Sequence, residues 1–307
     1  MMMKKKIIIT GGAGFIGSTL ADKLVEGPYE VHIIDNLKGG KLSNIPKDAI
    51  FHKEDITNYY ALLKIFKKIG SIYCVFHLAA LPRVQYSLLK QRKSLDANIG
   101  GTLNVLLAAK NSGARRIVYS ASSSAYGDQP ILPLHEEMVP NPKSPYAVQK
   151  LAGEHYCRVF SEAYGLETVS LRYFNAYGPK QGTEGAYALV IGAFLSARKN
   201  GEPLTITGDG TQTRDFTHVD DIVYANILAM DADTVGNGEV INIGAASNVS
   251  ILELAKLVGG PIDFVPERIE PKHTRADTAK ARKLLGWEPK ITIMDGILSL
   301  KEAFGID

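Results

Sequence analysis

Tyr146 and Lys150 stand four residues apart in "SPYAVQK", a spacing that puts both side chains on one face of a helix. A free phenol titrates near ~10 and is a poor base at neutral pH, but nearby positive charge stabilises its anion, and each unit of downward shift is worth ~1.4 kcal/mol. By itself the pair means little. Upstream, "ASSSAYG" places Ser122, Ser123 and Ser124 directly after the apolar run "RRIVYSA". Serine is a poor choice inside a strand or helix, and a single serine would do as a cap, so three hydroxyls there raise the question of what they face.

A third pattern supplies a partner for that chemistry. "IIITGGAGFIGSTL" is a strand, a glycine turn and a helix start, with Gly12, Gly14 and Gly17 in the G-x-G-x-x-G spacing and Gly11 adding flexibility. Such a turn lets a pyrophosphate approach backbone N–H groups at the positive end of a helix. Asp35, in "EVHIIDN", follows Gly17 by 18 residues. An acid at the tip of the second strand accepts hydrogen bonds from ribose hydroxyls and repels a 2′-phosphate, which favours NAD over NADP. Tyr146 would then take a hydroxyl proton as hydride leaves the same carbon, with Lys150 holding the nicotinamide ribose.

The elements that must position these groups follow from the rhythm of the chain. "KKKIIIT", "YEVHIID", "SIYCVFHLAA", "RRIVYSA" and "LETVSLRYF" have the character of buried strands. Between them lie helical patterns, among them "AGFIGSTLADKLVE", "NYYALLKIFKKI", "NIGGTLNVLLAAKNSG" and "SPYAVQKLAGEHYCRVFSEAYG". The alternation predicts an α/β fold, a doubly wound parallel sheet of the Rossmann kind. After about residue 175 Gly and Pro become dense, which predicts a smaller α/β substrate-binding domain over the sheet's C-terminal edge. The expected division is residues 1–174 with 219–244 for NAD, and residues 175–218 with 245–307 for the substrate.

Composition excludes several classes. The 307 residues are 45% apolar and 22% charged, which argues against disorder, and a net charge of +3 without basic runs interleaved with aromatics gives no reason to expect nucleic acid. "KKK" at 4–6 reads as the solvated start of a strand. Cys74 and Cys157 lack metal-ligand spacing and read as reduced packing residues, and no metal is expected. No apolar run approaches the ~20 residues that span a bilayer, and three isoleucines are too short for a signal peptide, so the expectation is a cytoplasmic protein without a membrane partner.

Taken in order, the glycine turn, Asp35, "HLAA" (77–80), "NIGGTLNVL" (98–106), "SSSAYG" and "YAVQK" resemble the extended short-chain dehydrogenase/reductase family. "LRYFNAYGP" (171–179), "GDGTQTRDFTHVDD" (208–221) and "ADTAKARKLLGWEP" (276–289) resemble its NAD-dependent nucleotide-sugar epimerase/dehydratase branch, most of all the UDP-glucose 4-epimerases. The resemblance covers nearly the whole chain. It implies that Ser122 joins Tyr146 and Lys150 as the catalytic group holding the reacting oxygen. Ser123 and Ser124 stand where the 4,6-dehydratases carry Asp and Glu, so elimination of water is disfavoured.

The resemblance further implies cofactor contacts from Gly11, Gly14, Phe15, Ile16 and Gly17, and from Asp35 with Asn36. Ile56 and the Leu78, Ala79 and Ala80 stretch add to that set, as does Asp55 against adenine, although a bare Asp after a strand could equally be a helix cap. Asn175 and Arg214 are implied to bind the substrate diphosphate, and Arg268 is a third candidate in a loop one residue shorter than the family's. Thr207 replaces an aromatic residue often found near the nucleotide base. Thr274 occupies the position that gates sugar size, where a small residue leaves room for an N-acetyl group. The implied activity is 4-epimerisation of a UDP-sugar with retained NAD, in a homodimer built on helices around 93–111 and 146–164. UDP-glucuronate epimerases, decarboxylases and keto-sugar reductases share the scaffold, and a non-catalytic NAD-binding scaffold protein is the alternative from another class.

Overall fold

The structure, a computed structural model, describes residues 4–182, 189–267 and 272–306. Apolar runs form the central strands β1 (Lys5–Thr10), β2 (Tyr29–Asp35), β3 (Ile50–Lys53), β4 (Ile72–His77), β5 (Arg116–Ser122) and β6 (Glu167–Tyr173). A seventh strand, Asn237–Ile243, pairs with β6. The order across the sheet is Asn237–Ile243, β6, β5, β4, β1, β2, β3, and every pairing is parallel. This is the doubly wound α/β sheet.

Alternation along each strand feeds two apolar layers. Ile7 and Ile9 of β1 face one layer with Leu20 and Leu24 of helix α1 (Phe15–Val25), while Ile8 faces the other with Leu62 and Phe66 of helix α2 (Tyr59–Ile69). Lys5 and Lys6 begin β1 at the protein surface. Cys74 and Cys157 are buried free thiols in the two layers. Chain order reverses between β1 and β4, and the C-terminal ends of the strands at such a reversal are where sheets of this kind bind ligands.

Beyond those ends a separate apolar cluster gathers Phe194, Ile206, Phe216, Leu254 and Leu300. Three short strand pairs frame it, including Thr213–Arg214 against Val249–Ser250. The helix Ala279–Leu285 turns back from this region, and its Ala281 and Leu285 join the sheet's first apolar layer with Trp287. The Trp287 indole donates to the Asp221 carbonyl at 2.9 Å, tying the C-terminal stretch to the helix Val219–Asp231.

Candidate active site

The glycine turn is built from contacts that tolerate no side chain. Gly11 adopts φ +74°, and a Cβ there would lie 2.6 Å from the Ala79 nitrogen, so the turn packs directly against the Leu78–Ala79 backbone after β4. A Cβ on Gly17 would lie 2.3 Å from the Gly11 carbonyl oxygen. Helix α1 starts at Phe15 after Gly14 in extended conformation, and no side chain caps this end. The first-turn N–H groups of Phe15 and Ile16 therefore suit a phosphate.

Asp35 ends β2 beside that turn. Its Oδ2 accepts from the Ala13 N–H at 3.1 Å and its Oδ1 from the Leu37 N–H at 2.7 Å. A carboxylate held this way can also accept ribose hydroxyls, so the residues present fit a dinucleotide. Asp55 serves as a fastener: Oδ1 accepts from the Thr57 N–H and hydroxyl, and Oδ2 from Asn36 Nδ2 at 2.8 Å and Lys38 Nζ at 3.0 Å. Burial opposes its ionisation, but these donors prevail and hold the carboxyl well below the usual range. Asp55 thus closes the Asn36–Lys38 strap onto β3. Ile56 beside it is buried and packs against Gly101.

The helix Pro145–Tyr164 carries the tyrosine and lysine. Ser144 caps it by accepting from the Ala147 N–H at 3.2 Å, and Pro145 occupies the first helical position. The Tyr146 phenol hydrogen-bonds the Ser122 side chain at the end of β5. Burial pushes this phenol above its ordinary value, against the pull of Ser122 and of the Arg83 guanidinium. One turn on, Lys150 is buried and its Nζ donates to the Ser120 carbonyl at 2.6 Å, with the Tyr119 ring 5.0 Å away. Burial lowers its amine to about 8, opposed by Glu154. The Arg83 guanidinium thus adds positive charge near Tyr146, and Lys150 donates to the end of β5.

The three serines form a single tight turn, Ser123–Tyr126. Ser122 Oγ caps it, accepting from the Ser124 N–H at 3.2 Å. Among the described residues the Ser124 hydroxyl is buried without a hydrogen-bond partner, which fits a polar ligand at the end of β5. Asn175 donates through Nδ2 to the Asp215 carbonyl at 3.0 Å. Arg214 Nη1 donates to the Thr213 carbonyl at 2.9 Å and the Lys272 carbonyl at 3.3 Å. The Thr274 hydroxyl accepts from the Asp215 N–H at 3.3 Å. Asn175, Arg214 and Thr274 thus lie within one hydrogen-bonded group, and Arg268 lies outside the described residues.

Several supporting residues went unread in the sequence. His77 is buried between two hydroxyls, with Nδ1 2.8 Å from Thr10 Oγ1 and Nε2 2.9 Å from Thr102 Oγ1. Thr102 donates to the Asn98 carbonyl, so it accepts from Nε2–H, and burial drives the imidazole down to about 3, keeping it neutral. The Asn98 carboxamide pairs with both the N–H and the C=O of Leu81 and with Gln149, fixing the loop that leads to Arg83. Glu154, one turn after Lys150, forms a two-point ion pair with Arg172 at 2.9 and 2.7 Å. His77, Asn98, Thr102 and Arg172 lie in the quoted segments "HLAA", "NIGGTLNVL" and "LRYFNAYGP", but the roles of all these residues depend on long-range packing that local spacing does not show. Among the described residues no cluster of three His, Cys, Asp or Glu side chains could hold a metal, and no helix is long and apolar enough to cross a membrane.

Comparison with known proteins matches the same segments. The family model described as the NAD dependent epimerase/dehydratase family matches residues 7–244. The UDP-glucose 4-epimerase of Thermotoga maritima, solved with UDP-glucose, is 36% identical, with a TM-score of 0.93 and coverage of 98% of both chains. The UDP-N-acetylglucosamine 4-epimerase of Methanobrevibacter ruminantium is 35% identical, with a TM-score of 0.90 over 98% of this chain and 100% of that one. The UDP-glucuronic acid 4-epimerase of Bacillus cereus, solved with UDP-glucuronic acid and NAD, is 35% identical, with a TM-score of 0.89 over 98% and 99%.

Proposed function

The chain belongs to the NAD-dependent epimerase/dehydratase family, and from that premise we propose that it is a UDP-sugar 4-epimerase. Its preferred pair in this reading is UDP-glucose and UDP-galactose, and it also accepts their N-acetylated forms. The observation that carries the reading is the Tyr146–Ser122 hydrogen bond at the end of β5, with buried Lys150 one helical turn deeper and Asp35 at the tip of β2. NAD is the cofactor, and when bound it accepts hydride from sugar carbon 4 and returns it.

Residues of this chain do the rest. Gly11, Gly14 and Gly17 with the start of α1 hold the pyrophosphate, Asp35 takes the adenosine ribose, and Lys150 holds the second ribose. Tyr146 Oη removes the proton of the 4-hydroxyl and later gives it back, while Ser122 stays on the same oxygen as it passes from hydroxyl to ketone. Asn175 and Arg214 grip the diphosphate, so the keto sugar can turn about that linkage and present its other face. Ser123 and Ser124 offer neither an acid nor a base for elimination at neutral pH, which favours epimerisation over loss of water. In this scheme residues 1–174 with 219–244 serve the cofactor and residues 175–218 with 245–307 serve the sugar nucleotide.

The proposed setting is a cytoplasmic homodimer. Val148 and Val159 are exposed on one stripe of the Pro145–Tyr164 helix, and Leu95 is exposed nearby, which supports pairing through the helices around 93–111 and 146–164. A monomer mass by sedimentation would remove that pairing.

Sugar choice tests the substrate assignment. Thr274 is half-buried beside Asp215 and Arg214, and a threonine there leaves room beside the sugar. Wild type is expected to interconvert both the glucose/galactose pair and the N-acetylglucosamine/N-acetylgalactosamine pair, followed by NMR across a panel of UDP-, TDP- and GDP-sugars. Thr274→Tyr is expected to keep the plain sugars and exclude the acetamido ones, because overlap with a packed wall is not relieved cheaply. Turnover confined to UDP-glucuronate would replace the neutral-sugar assignment, and an unchanged sugar range in the variant would remove Thr274 as the gate.

A further inference from the structure

Asp215 follows Arg214 directly and is fully buried, yet its carboxylate has no place in the scheme above. Its Oδ1 accepts from the Ala245 N–H at 2.7 Å and its Oδ2 from the Ala276 N–H at 2.8 Å, with the Ala246 N–H as a third donor. Ala246 sits at φ +56°, a left-handed conformation uncommon for alanine, and this turn aims successive N–H groups at one anion. A Cβ on Gly244 would lie 3.0 Å from Oδ2 and 2.4 Å from the Ala276 Cβ, so the loop after the last strand is pressed onto the carboxylate. The backbone of Asp215 is engaged as well. Its N–H donates to the Thr274 hydroxyl, and its carbonyl accepts from Asn175.

Four segments distant in sequence therefore meet at one residue. They are the end of β6, the strand Thr213–Arg214, the turn 244–246 and the segment 274–276. Three of them carry the residues assigned above to the diphosphate and the sugar.

We propose that Asp215 is a positioning residue of the UDP-sugar site, whose carboxylate clasps the 244–246 turn and the 274–276 segment against the strand bearing Arg214, and so sets where Asn175, Arg214 and Thr274 meet the substrate. The inference rests on the functional reading above. Asp215 touches no reacting atom, so it acts on binding and leaves the chemistry at Tyr146 alone. Glutamate does not reproduce it, because its carboxylate sits one methylene further out than the fully buried Asp215 oxygens that meet the Ala245 and Ala276 N–H groups at 2.7 and 2.8 Å. Asparagine fits the space, but its NH2 group faces an N–H, and one of the two loops loses its acceptor.

The ionisation of the clasp gives a second readout. Burial pushes the Asp215 carboxyl up to about 7, against the pull of the Ala276, Ala245 and Ala246 N–H groups and of Arg275. The charged groups around it are Arg214 and Arg275 on the flanking segments, with His273 further out, and the 244–246 turn (Gly, Ala, Ala) carries none. As pH falls from about 8 to about 6 a proton occupies one acceptor oxygen; this relieves the buried charge, so overall stability does not fall with it, but that oxygen no longer accepts its N–H and the clasp loosens on one loop. The diphosphate of UDP-glucose is a diester that keeps its charge over this range.

The test compares wild type with Asp215→Asn by steady-state kinetics, UDP-glucose calorimetry and bound-NAD content. The expected result is a KM for UDP-glucose raised about 10-fold or more, the scale of one lost hydrogen bond to a charged acceptor, with kcat within about threefold and NAD retained. Wild-type affinity for UDP-glucose is expected to weaken as pH falls through about 7, while the variant's affinity is weak and flat. An unchanged KM would overturn the proposal, as would parallel loss of KM, kcat and NAD, the mark of a merely structural role. Should the variant fail to fold, the wild-type pH dependence decides, and flat or strengthening binding toward low pH overturns the clasp. A wild type that turns over no nucleotide sugar would overturn the functional reading, a separate outcome from any difference between variant and wild type.

Discussion

Tyr146→Phe is expected to lower epimerisation by ~10²-fold or more while leaving the fold and the bound NAD in place. The substitution removes one oxygen and keeps the ring that packs at the start of the Pro145–Tyr164 helix. That oxygen is the atom joined to Ser122, and burial keeps it protonated at neutral pH until positive charge arrives beside it. Lys150, lowered to about 8 by burial, is still mostly cationic at pH 7; one of its three N–H donors goes to the Ser120 carbonyl, which leaves the others for a ribose. In the proposed scheme the positive ring of bound NAD would add the charge that lets Tyr146 act as a base, with Arg83 assisting. The check is turnover together with NAD content of the purified variant. Near-wild-type turnover would remove Tyr146 from the acid–base role.

Gly17→Ala is the second change expected to act strongly, although it adds a single methyl group. The new Cβ would stand 2.3 Å from the Gly11 carbonyl oxygen and 2.9 Å from the Gly12 Cα. Both obstacles are backbone, so no rotamer change relieves the overlap, and α1 must move away from the turn that cradles the pyrophosphate. The expected outcome is protein that purifies without NAD and unfolds several degrees lower, as overpacking of ~1–3 kcal/mol would give in a domain of this size. Absorbance of a denatured extract reports the cofactor. A variant that keeps a full complement of NAD would show that the tight turn does not govern binding.

The legible part of the fold was its centre. Continuous apolar runs announced β1, β2, β4, β5 and β6, which are covered on both faces. The two unread strands, Ile50–Lys53 and Asn237–Ile243, are the two edges of the sheet. An edge strand is less covered, and "IFHK" and "NGEVINI" accordingly mix polar residues and glycine into short runs that no periodicity isolates. The helix read from Asn98 onward begins instead with a π turn at Asp96–Gly100 before the regular Gly101–Asn111 stretch. That turn places Asn98 against Leu81, a long-range demand that local propensity does not carry.

The site divides in the same way. Residues whose chemistry is local, such as the glycine turn, Asp35 and the Tyr146–Lys150 pair, could be named from spacing. Arg83 could not, because "LPRVQYS" matches no motif spacing. Its influence on Tyr146 depends on the Asn98 contact at Leu81 and on Ser87, whose hydroxyl accepts from the Tyr146 N–H at 3.1 Å. Asp215 was hidden by its neighbour: in "TRDF" the arginine carries the obvious phosphate chemistry, while the acid's role appears only when Ala245 and Ala276 converge on it.

The central claim is that one hydride leaves carbon 4 and returns to the same carbon from within the closed site. The most direct measurement is NMR of purified protein, with no added NAD, incubated with UDP-glucose in deuterium oxide. UDP-galactose is expected to accumulate with the original hydrogen still on carbon 4 and with no free NADH in solution. Deuterium at carbon 4, release of NADH with net oxidation, or a sugar that never changes configuration would contradict it.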